Sequence, residues 1–493
     1  MAPKPIVGIW QGEPSYNSDP PFHPHEPYPE YPSEDLSEKI NPAYEGVRES
    51  MYLLGLDRKH FGSAAWNPLG ELVEPGNVVT IKPNFVVSRH RKGGDLFSIV
   101  THPSIIRAVI DYVYLALQGN GKIIIADSPQ MDCDFRSLLE QTQLARISGY
   151  YQAVKGFPIE ILDLREFWLE TRDDDDEAYQ DNRHFLKGDP LGDVCVNLGR
   201  ESMLSTLENW NNLYGADYNR SETIAFHHEG THKYFISRTI LESDVVISVP
   251  KLKVHKKVGV TLNCKGLVGI TTNKNCLIHY RLGSPHEGGD QYPDHALTRR
   301  ERVIIKLQRF VYDGILARKS ENLDRLFKVL LKLYRFAIKP FLGSVSSRNR
   351  ILDGGNWHGN DSAWRMVVDL VRIAQYSDTH GRLHSEPQRK MFSFVDGIIG
   401  GDGDGPLAPD RKESGVVLAG EDILAVDRAA VRLMGFDWRR ISYLKELNAQ
   451  QTTIPSMRIE IRSNTRRIMN MEKTTNPILG FNPHPGWKGQ VEI

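Results

Sequence analysis

The sequence predicts an α/β protein with a mainly parallel sheet flanked by helices and with a helical insertion. The first observation is a β-branched strand at 78–82 (VVTIK), a helix at 103–117 and a second strand at 121–126 (GKIIIA). A strand–helix–strand order at this spacing is a crossover connection, which makes the two strands parallel. The second is another apolar strand at 244–249 (DVVISV), and the third is a return of alternating strands and helices after residue 356.

The remaining elements follow the same rules. Residues 3–10 are predicted to form a short strand, and 13–34 an irregular arm, because seven prolines lie between Pro14 and Pro32. Thr101 is a candidate cap for the helix at 103–117. Further predicted strands are 159–162, 391–395 and 415–418, and further predicted helices are 236–242, 363–376 and 423–434.

The chain has 493 residues, more than one domain usually contains. We therefore divide it into an N-terminal strand and arm (1–77), an α/β core (78–295), a helical insertion (296–342) and a C-terminal α/β part that completes the core (343–493).

Composition excludes several classes of protein. Lys+Arg is 61 and Asp+Glu is 62, so the net charge of −1 gives no basis for nucleic-acid binding. The four cysteines form no C-x-x-C pair, so no iron–sulfur cluster is expected. No signal peptide and no run of about 18 apolar residues is present, which predicts a cytoplasmic protein.

The most informative segment is a predicted basic loop at 250–265, PKLKVHKKVGVTLNCK. Lys251, Lys253 and His255 crowd together there with two further lysines, and like charges this close repel each other unless an anion lies nearby. A phosphate or carboxylate ligand is the natural partner. His255 can exchange protons near neutral pH, and Lys265 follows an apolar stretch that can lower its pKa, so both are candidate catalytic residues. The alternative is a solvated basic loop.

Two other strand ends carry polar residues. Lys82 and Asn84 follow the strand 78–82, and Asp127 follows the strand 121–126. Ligands of open parallel sheets bind beyond the carboxyl ends of the strands. These residues, with Lys251 and Lys253, are therefore predicted to bind the substrate.

A glycine-rich segment at 396–410, DGIIGGDGDGPLAPD, completes the candidate site. Asp396 is predicted to end a strand, and Asp402 and Asp404 are candidates for binding a cation or a sugar hydroxyl. A Gly-rich turn without function is the alternative. Three histidines, His227, His228 and His232, are candidate ligands of a divalent metal ion, although their spacing matches no compact metal motif.

Residues 323–339 predict an amphipathic helix with lysines off its apolar stripe. Such a helix either packs on the core or contacts a membrane surface peripherally.

The chain resembles the domain-of-unknown-function family 362. The motifs that carry the resemblance are IKPNFV (81–86), THPSIIRAVIDYV (101–113), GKIIIADSP (121–129), SDVVISVPKLKVHKKVGVTLNCKGLVGI (243–270), DGIIGGDGDGPLAP (396–409) and DILAVDRAAVRLMG (422–435). Some members carry an attached ferredoxin segment, whose cysteines this chain lacks. The insert 286–362, with NWHGND at 356–361, resembles a longer subtype, and that resemblance implies a link to polysaccharide biosynthesis.

A more distant likeness is to the lactate racemase family. There a histidine and a later lysine flank a glycine-rich turn, and the lysine anchors a nickel-pincer nucleotide. His255 and Lys265 flank V-G-V-T in a similar way, but with one glycine instead of a run.

Three functions follow from these patterns. The first is an enzyme that acts on a small anionic substrate, such as a phosphorylated or acidic sugar. The second is a non-catalytic, membrane-associated assembly factor for glycan synthesis, and the third is a metal-dependent racemase or epimerase.

Overall fold

The computed structural model describes residues 4–31, 33–169, 183–216, 220–311, 351–450, 459–474 and 476–493. The predicted helix at 323–339 lies outside these residues. Within them, no helix is long and apolar enough to cross a membrane.

The strands, in chain order, are β1 (Ile6–Gln11), β2 (Val78–Pro83), β3 (Lys122–Asp127), β4 (Ile159–Asp163), β5 (Phe167–Leu169), β6 (Arg183–Phe185), β7 (Asp193–Asn197), β8 (Leu213–Tyr214), β9 (His227–His228), β10 (Thr231–Ser237), β11 (Val245–Val249), β12 (Lys251–His255), β13 (Gly259–Thr261), β14 (Tyr280–Arg281), β15 (Lys390–Asp402), β16 (Asp410–Gly420) and β17 (Glu460–Ser463).

The helices are α1 (Pro42–Leu54), α2 (Pro103–Leu117), α3 (Phe135–Thr142), α4 (Ala145–Tyr150), α5 (Arg220–Phe226), α6 (Arg238–Leu241), α7 (Asn263–Gly266), α8 (Arg299–Val311), α9 (Ala363–Tyr376), α10 (Ile423–Met434), α11 (Ser442–Gln450) and α12 (Arg466–Met469).

The main sheet has the order β17-β1-β16-β15-β11-β2-β3-β4. The neighbours β15, β11, β2, β3 and β4 run parallel, whereas β16 is antiparallel to both β15 and β1. This arrangement confirms the predicted mainly parallel α/β fold. Each face of the sheet is covered by its own apolar core, one containing residues of α1 and α2 and the other residues of α9 and α10.

Several predicted elements are confirmed to the residue, among them α2, α9 and α10. Others differ at their ends. Ile236 and Ser237 belong to β10, so the helix predicted at 236–242 is only α6. The cap of α2 is His102, whose ring nitrogen accepts from the Ser104 N–H. Thr101 instead donates its hydroxyl to the Val249 carbonyl, 2.7 Å away.

The glycine-rich segment after Asp396 continues a strand instead of forming a turn. Strand β15 runs through to Asp402, so the prediction that Asp396 ends a strand was wrong. A Cβ on Gly397 would lie 2.7 Å from the Val416 side chain, and one on Gly401 would lie 2.4 Å from the Ser98 carbonyl. These glycines are therefore required for close packing within the sheet.

Candidate functional site

The basic segment after β11 is a buried strand and not the predicted loop. In β12 the residues alternate, with Leu252 and Val254 in an apolar core and Lys251, Lys253 and His255 on the opposite face. Successive residues of a strand point to opposite faces, so the period of two sorts apolar from basic side chains. The run of basic residues in the sequence hid this alternation.

Lys251 is neutralised inside the protein. Its Nζ lies 2.8 Å from Asp396 Oδ2, and neither side chain is exposed. The Tyr16 hydroxyl, carried in by the proline-rich arm, accepts from the Lys251 Nζ at 2.7 Å and donates to Asp396 at 2.5 Å. The His102 N–H donates to the same carboxylate. The irregular arm thus contributes a side chain to the interior.

Lys82 is also paired. Its Nζ lies 2.9 Å from Asp127 Oδ1, and the pair sits where β2 and β3 end. The second oxygen of Asp127 accepts from the Phe85 N–H at 2.8 Å. Asn84 lies nearby and accepts from the Lys251 N–H through its side-chain oxygen at 3.0 Å. The three predicted strand ends therefore converge at one edge of the sheet.

Lys253 has a different environment. Its Nζ donates to the Ile99 carbonyl at 2.6 Å, and no carboxylate lies within ion-pair distance among the described residues. Burial, together with the nearby Lys265, lowers the pKa of Lys253 well below its usual range. The charged form of this lysine has a carbonyl partner but no carboxylate partner among the described residues.

Lys265 lies on the short helix α7, half-buried, and is also without a carboxylate partner among the described residues. Burial and then Lys82 lower its pKa to about 8, against a smaller opposite effect of Asp127. Asp427 fixes the start of α7 by accepting from the N–H groups of Asn263 and Cys264, each at 2.9 Å. This carboxylate positions the helix that carries Lys265.

His255 is buried and next to these lysines. Its Nδ1 accepts from the Lys257 N–H at 3.1 Å, so the ring is the neutral tautomer with its proton on Nε2. Burial and then Lys265 and Lys253 lower the pKa of His255 well below its usual range. An anion bound between these groups would move that pKa back toward neutrality.

One lysine of the site was missed in the sequence. Lys274 is buried, and its Nζ donates to the Ser128 carbonyl at 2.7 Å. Burial lowers its pKa to about 7, with Asp127 acting in the opposite direction. Lys274 does not follow the end of a strand. It reaches the site only because its segment packs against Ser128 in the folded protein.

Asp402 and Asp404 contact other groups. Asp402 accepts from the backbone and side-chain nitrogens of Asn482, and Asp404 forms ion pairs with Lys92 at 2.8 Å and His484 at 3.5 Å. Both carboxylates thus connect the end of β15 to other surface segments. Their predicted role in substrate binding remains a prediction.

The candidate histidines do not assemble a metal centre. His227 and His232 are buried in the β9–β10 hairpin, whereas His228 is exposed. Among the residues the structure describes, no group of three or more His, Cys, Asp or Glu side chains is arranged to hold a metal ion.

Fold and site together define an α/β protein with a cluster of basic side chains at the carboxyl edge of its sheet. We call this cluster the cationic centre; its members are Lys82, Lys253, His255, Lys265 and Lys274. The chain belongs to the family of the domain of unknown function DUF362, whose model matches residues 79–176 and 186–432. This confirms the resemblance drawn from the motifs. No curated protein matches the chain in sequence.

Among solved structures, the chain is similar to a crystal structure of a Thermotoga maritima protein, with 10% identity and a TM-score of 0.28. The match covers 82% of this chain and 59% of that one.

Proposed function

We propose that the chain is an enzyme that binds a small anionic substrate, of the phosphorylated or acidic sugar type, at the cationic centre. The observation that carries this proposal is the lack of a carboxylate partner for Lys253, Lys265 and Lys274 among the described residues. Burial without a partner disfavours the charged form of a lysine, and a bound anion stabilises that form.

In this proposal His255 and Lys265 are the catalytic residues. His255 is held as one tautomer by the Lys257 N–H. It is poised to move a proton once an anion has raised its pKa. Lys265 is half-buried, and in this proposal it stabilises negative charge that develops on the substrate. Lys82, Asn84 and Asp127 line the same edge and orient the ligand.

The insert at 286–362 resembles the longer subtype of the family. This resemblance supports the proposal that the activity belongs to polysaccharide biosynthesis. A cytoplasmic location is part of the proposal. It is supported by Cys133, Cys195, Cys264 and Cys276, which are all free thiols as expected in a reducing compartment.

The test is a thermal-shift and calorimetric titration with inorganic phosphate, glucose 1-phosphate and glucuronate. A ligand at 100 times its Kd stabilises the folded protein by about 2.7 kcal/mol. We expect this stabilisation in the wild type and its loss in Lys265→Met. The matched control is Lys122→Met, because Lys122 is exposed at the opposite end of β3.

Three results are possible. Binding that Lys265→Met abolishes and Lys122→Met retains supports the site. Binding that survives Lys265→Met and His255→Ala contradicts the assignment of these two residues. No stabilisation of the wild type by any of the three anions overturns the proposal of an anionic substrate.

A further inference from the structure

The cationic centre has unpartnered hydroxyl groups at two places. The Ser128 and Thr261 side chains are 4% exposed, and neither hydroxyl has a hydrogen-bond partner among the described residues. Buried hydroxyls are almost always hydrogen-bonded, because removing one from water without a partner costs free energy. Two such groups beside unpaired lysines indicate donors that await an acceptor.

Thr261 belongs to the Lys253 side of the centre. Strands β12 and β13 are antiparallel, and Lys253 and Thr261 are directly opposite each other in register. Directly opposite residues of an antiparallel pair point to the same face. Thr261 and Lys253 thus present a hydroxyl and an ammonium group together.

Ser128 belongs to the Lys274 side. It follows Asp127 at the end of β3, and its carbonyl accepts from the Lys274 Nζ. Its N–H donates to the Gly269 carbonyl at 2.8 Å, which holds its backbone in place. Because the Lys274 Nζ contacts the Ser128 backbone, a second hydroxyl and a second ammonium group lie in the same part of the centre.

Lys82 lies on the Ser128 side of the centre, because its Nζ pairs with Asp127, the residue before Ser128. Lys82 acts electrostatically on Lys253, Lys265 and Lys274, and Lys265 also acts on Lys253. Among Lys82, Lys253, Lys265 and Lys274, only Lys82 has a carboxylate partner in the described residues, so three lysines lack an anionic partner.

We propose that the centre holds two anionic subsites, Thr261–Lys253 and Ser128–Lys274, which bind two phosphate groups of one ligand. This inference rests on the proposed function and names its substrate class. A single carboxylate would stabilise the charged form of one of these three lysines, whereas two phosphate groups carry enough negative charge to stabilise all three.

The two hydroxyls allow a sharp experiment. Ser128→Ala and Thr261→Ala remove groups that make no hydrogen bond in the ligand-free protein, so neither variant loses folding stability through a broken bond. Calorimetry is carried out on the full chain with inorganic phosphate, pyrophosphate and fructose 1,6-bisphosphate at equal ionic strength. Lys122→Met is the control.

We expect the wild type to bind a ligand with two phosphates at least about 100-fold tighter than inorganic phosphate. A loss of about 1.4 kcal/mol is tenfold in affinity, so each alanine variant should bind that ligand about tenfold more weakly. Preference for pyrophosphate identifies adjacent phosphates, and preference for fructose 1,6-bisphosphate identifies phosphates separated by a sugar.

Equal affinity for inorganic phosphate and both larger ligands, or unchanged affinity in both alanine variants, overturns the two-subsite inference. If phosphate still binds and Lys265→Met abolishes it, the proposed function survives that failure. If no anion binds the wild type, both fail together.

Discussion

Lys251 and Asp396 form an ion pair of 2.8 Å in which neither side chain is exposed, whereas Lys253, two residues further along the same strand face, has only a carbonyl partner. One lysine of β12 is thus satisfied by the protein and the next is not.

Asp396→Asn should destabilise the fold strongly. It leaves Lys251 buried beside a neutral group, and breaking a buried ion pair costs roughly 3–5 kcal/mol. Urea unfolding measures this loss. The control is Glu140→Gln, because the Arg136–Glu140 pair is exposed and should contribute less than about 1 kcal/mol. Equal effects of the two variants would show that the buried pair has no special importance.

Anion binding should take up protons at pH 8. The pKa of Lys265 is lowered to about 8 and that of Lys274 to about 7, so both are partly or mostly neutral there. A bound phosphate favours their charged forms and raises both pKa values. Affinity should therefore fall as the pH rises from 7 to 9.

Calorimetry with inorganic phosphate in buffers of different ionisation enthalpy measures that proton uptake. The variant Lys274→Met, which keeps Lys265, should show less uptake than the wild type. A binding enthalpy that is independent of the buffer in the wild type would be incompatible with this linkage.

Gly269→Ala should disrupt the Lys82–Asp127 pair. A Cβ at this position would lie 2.0 Å from Asp127 Oδ1 and 2.7 Å from the Lys82 Nζ. Overpacking of this kind typically costs about 1–3 kcal/mol. The control is Gly149→Ala in α4, where a Cβ meets nothing within 4 Å and the alanine should stabilise the helix by about 0.5–1 kcal/mol. Urea unfolding of both variants should give opposite signs, and equal signs would contradict the steric argument.

Asp369 should make stability depend on pH. It accepts from Ser202, Tyr234 and the Met203 N–H, and burial raises its pKa from 3.8 to about 6. An acid with a higher pKa in the folded state binds more protons there than in the unfolded chain. The contribution of this raised pKa to the free energy of unfolding is complete below pH 3.8. It is lost as the pH rises through about 6.

The loss from Asp369 amounts to about 3 kcal/mol for a shift of this size. Urea unfolding between pH 4 and 7 should show it in the wild type, and Asp369→Asn should have a flatter profile. Asp427 has a similar shift and remains in both proteins, so some slope persists. Identical slopes in both proteins would exclude Asp369 as a source.

Much of this protein was predictable because its signals are local. The β-branched run of β2, the helix α10 and the strand ends at Lys82 and Asp127 each depend on a few neighbouring residues. Periodicity and turn residues act over such distances, so they can be read directly. The convergence of strand ends follows from the parallel sheet they define.

The partners of the buried lysines could not be predicted from the sequence, because they come from distant parts of the chain. Lys251 and Lys253 look alike in the chain, yet 145 residues separate Lys251 from the carboxylate that neutralises it. Lys274 joins the centre through Ser128, 146 residues away, and nothing near it in the chain indicates this. The sequence by itself determined the sheet, its edge and its surplus of lysines. Only the tertiary structure decided which of those lysines lack a carboxylate partner, because burial and pairing are set by long-range packing.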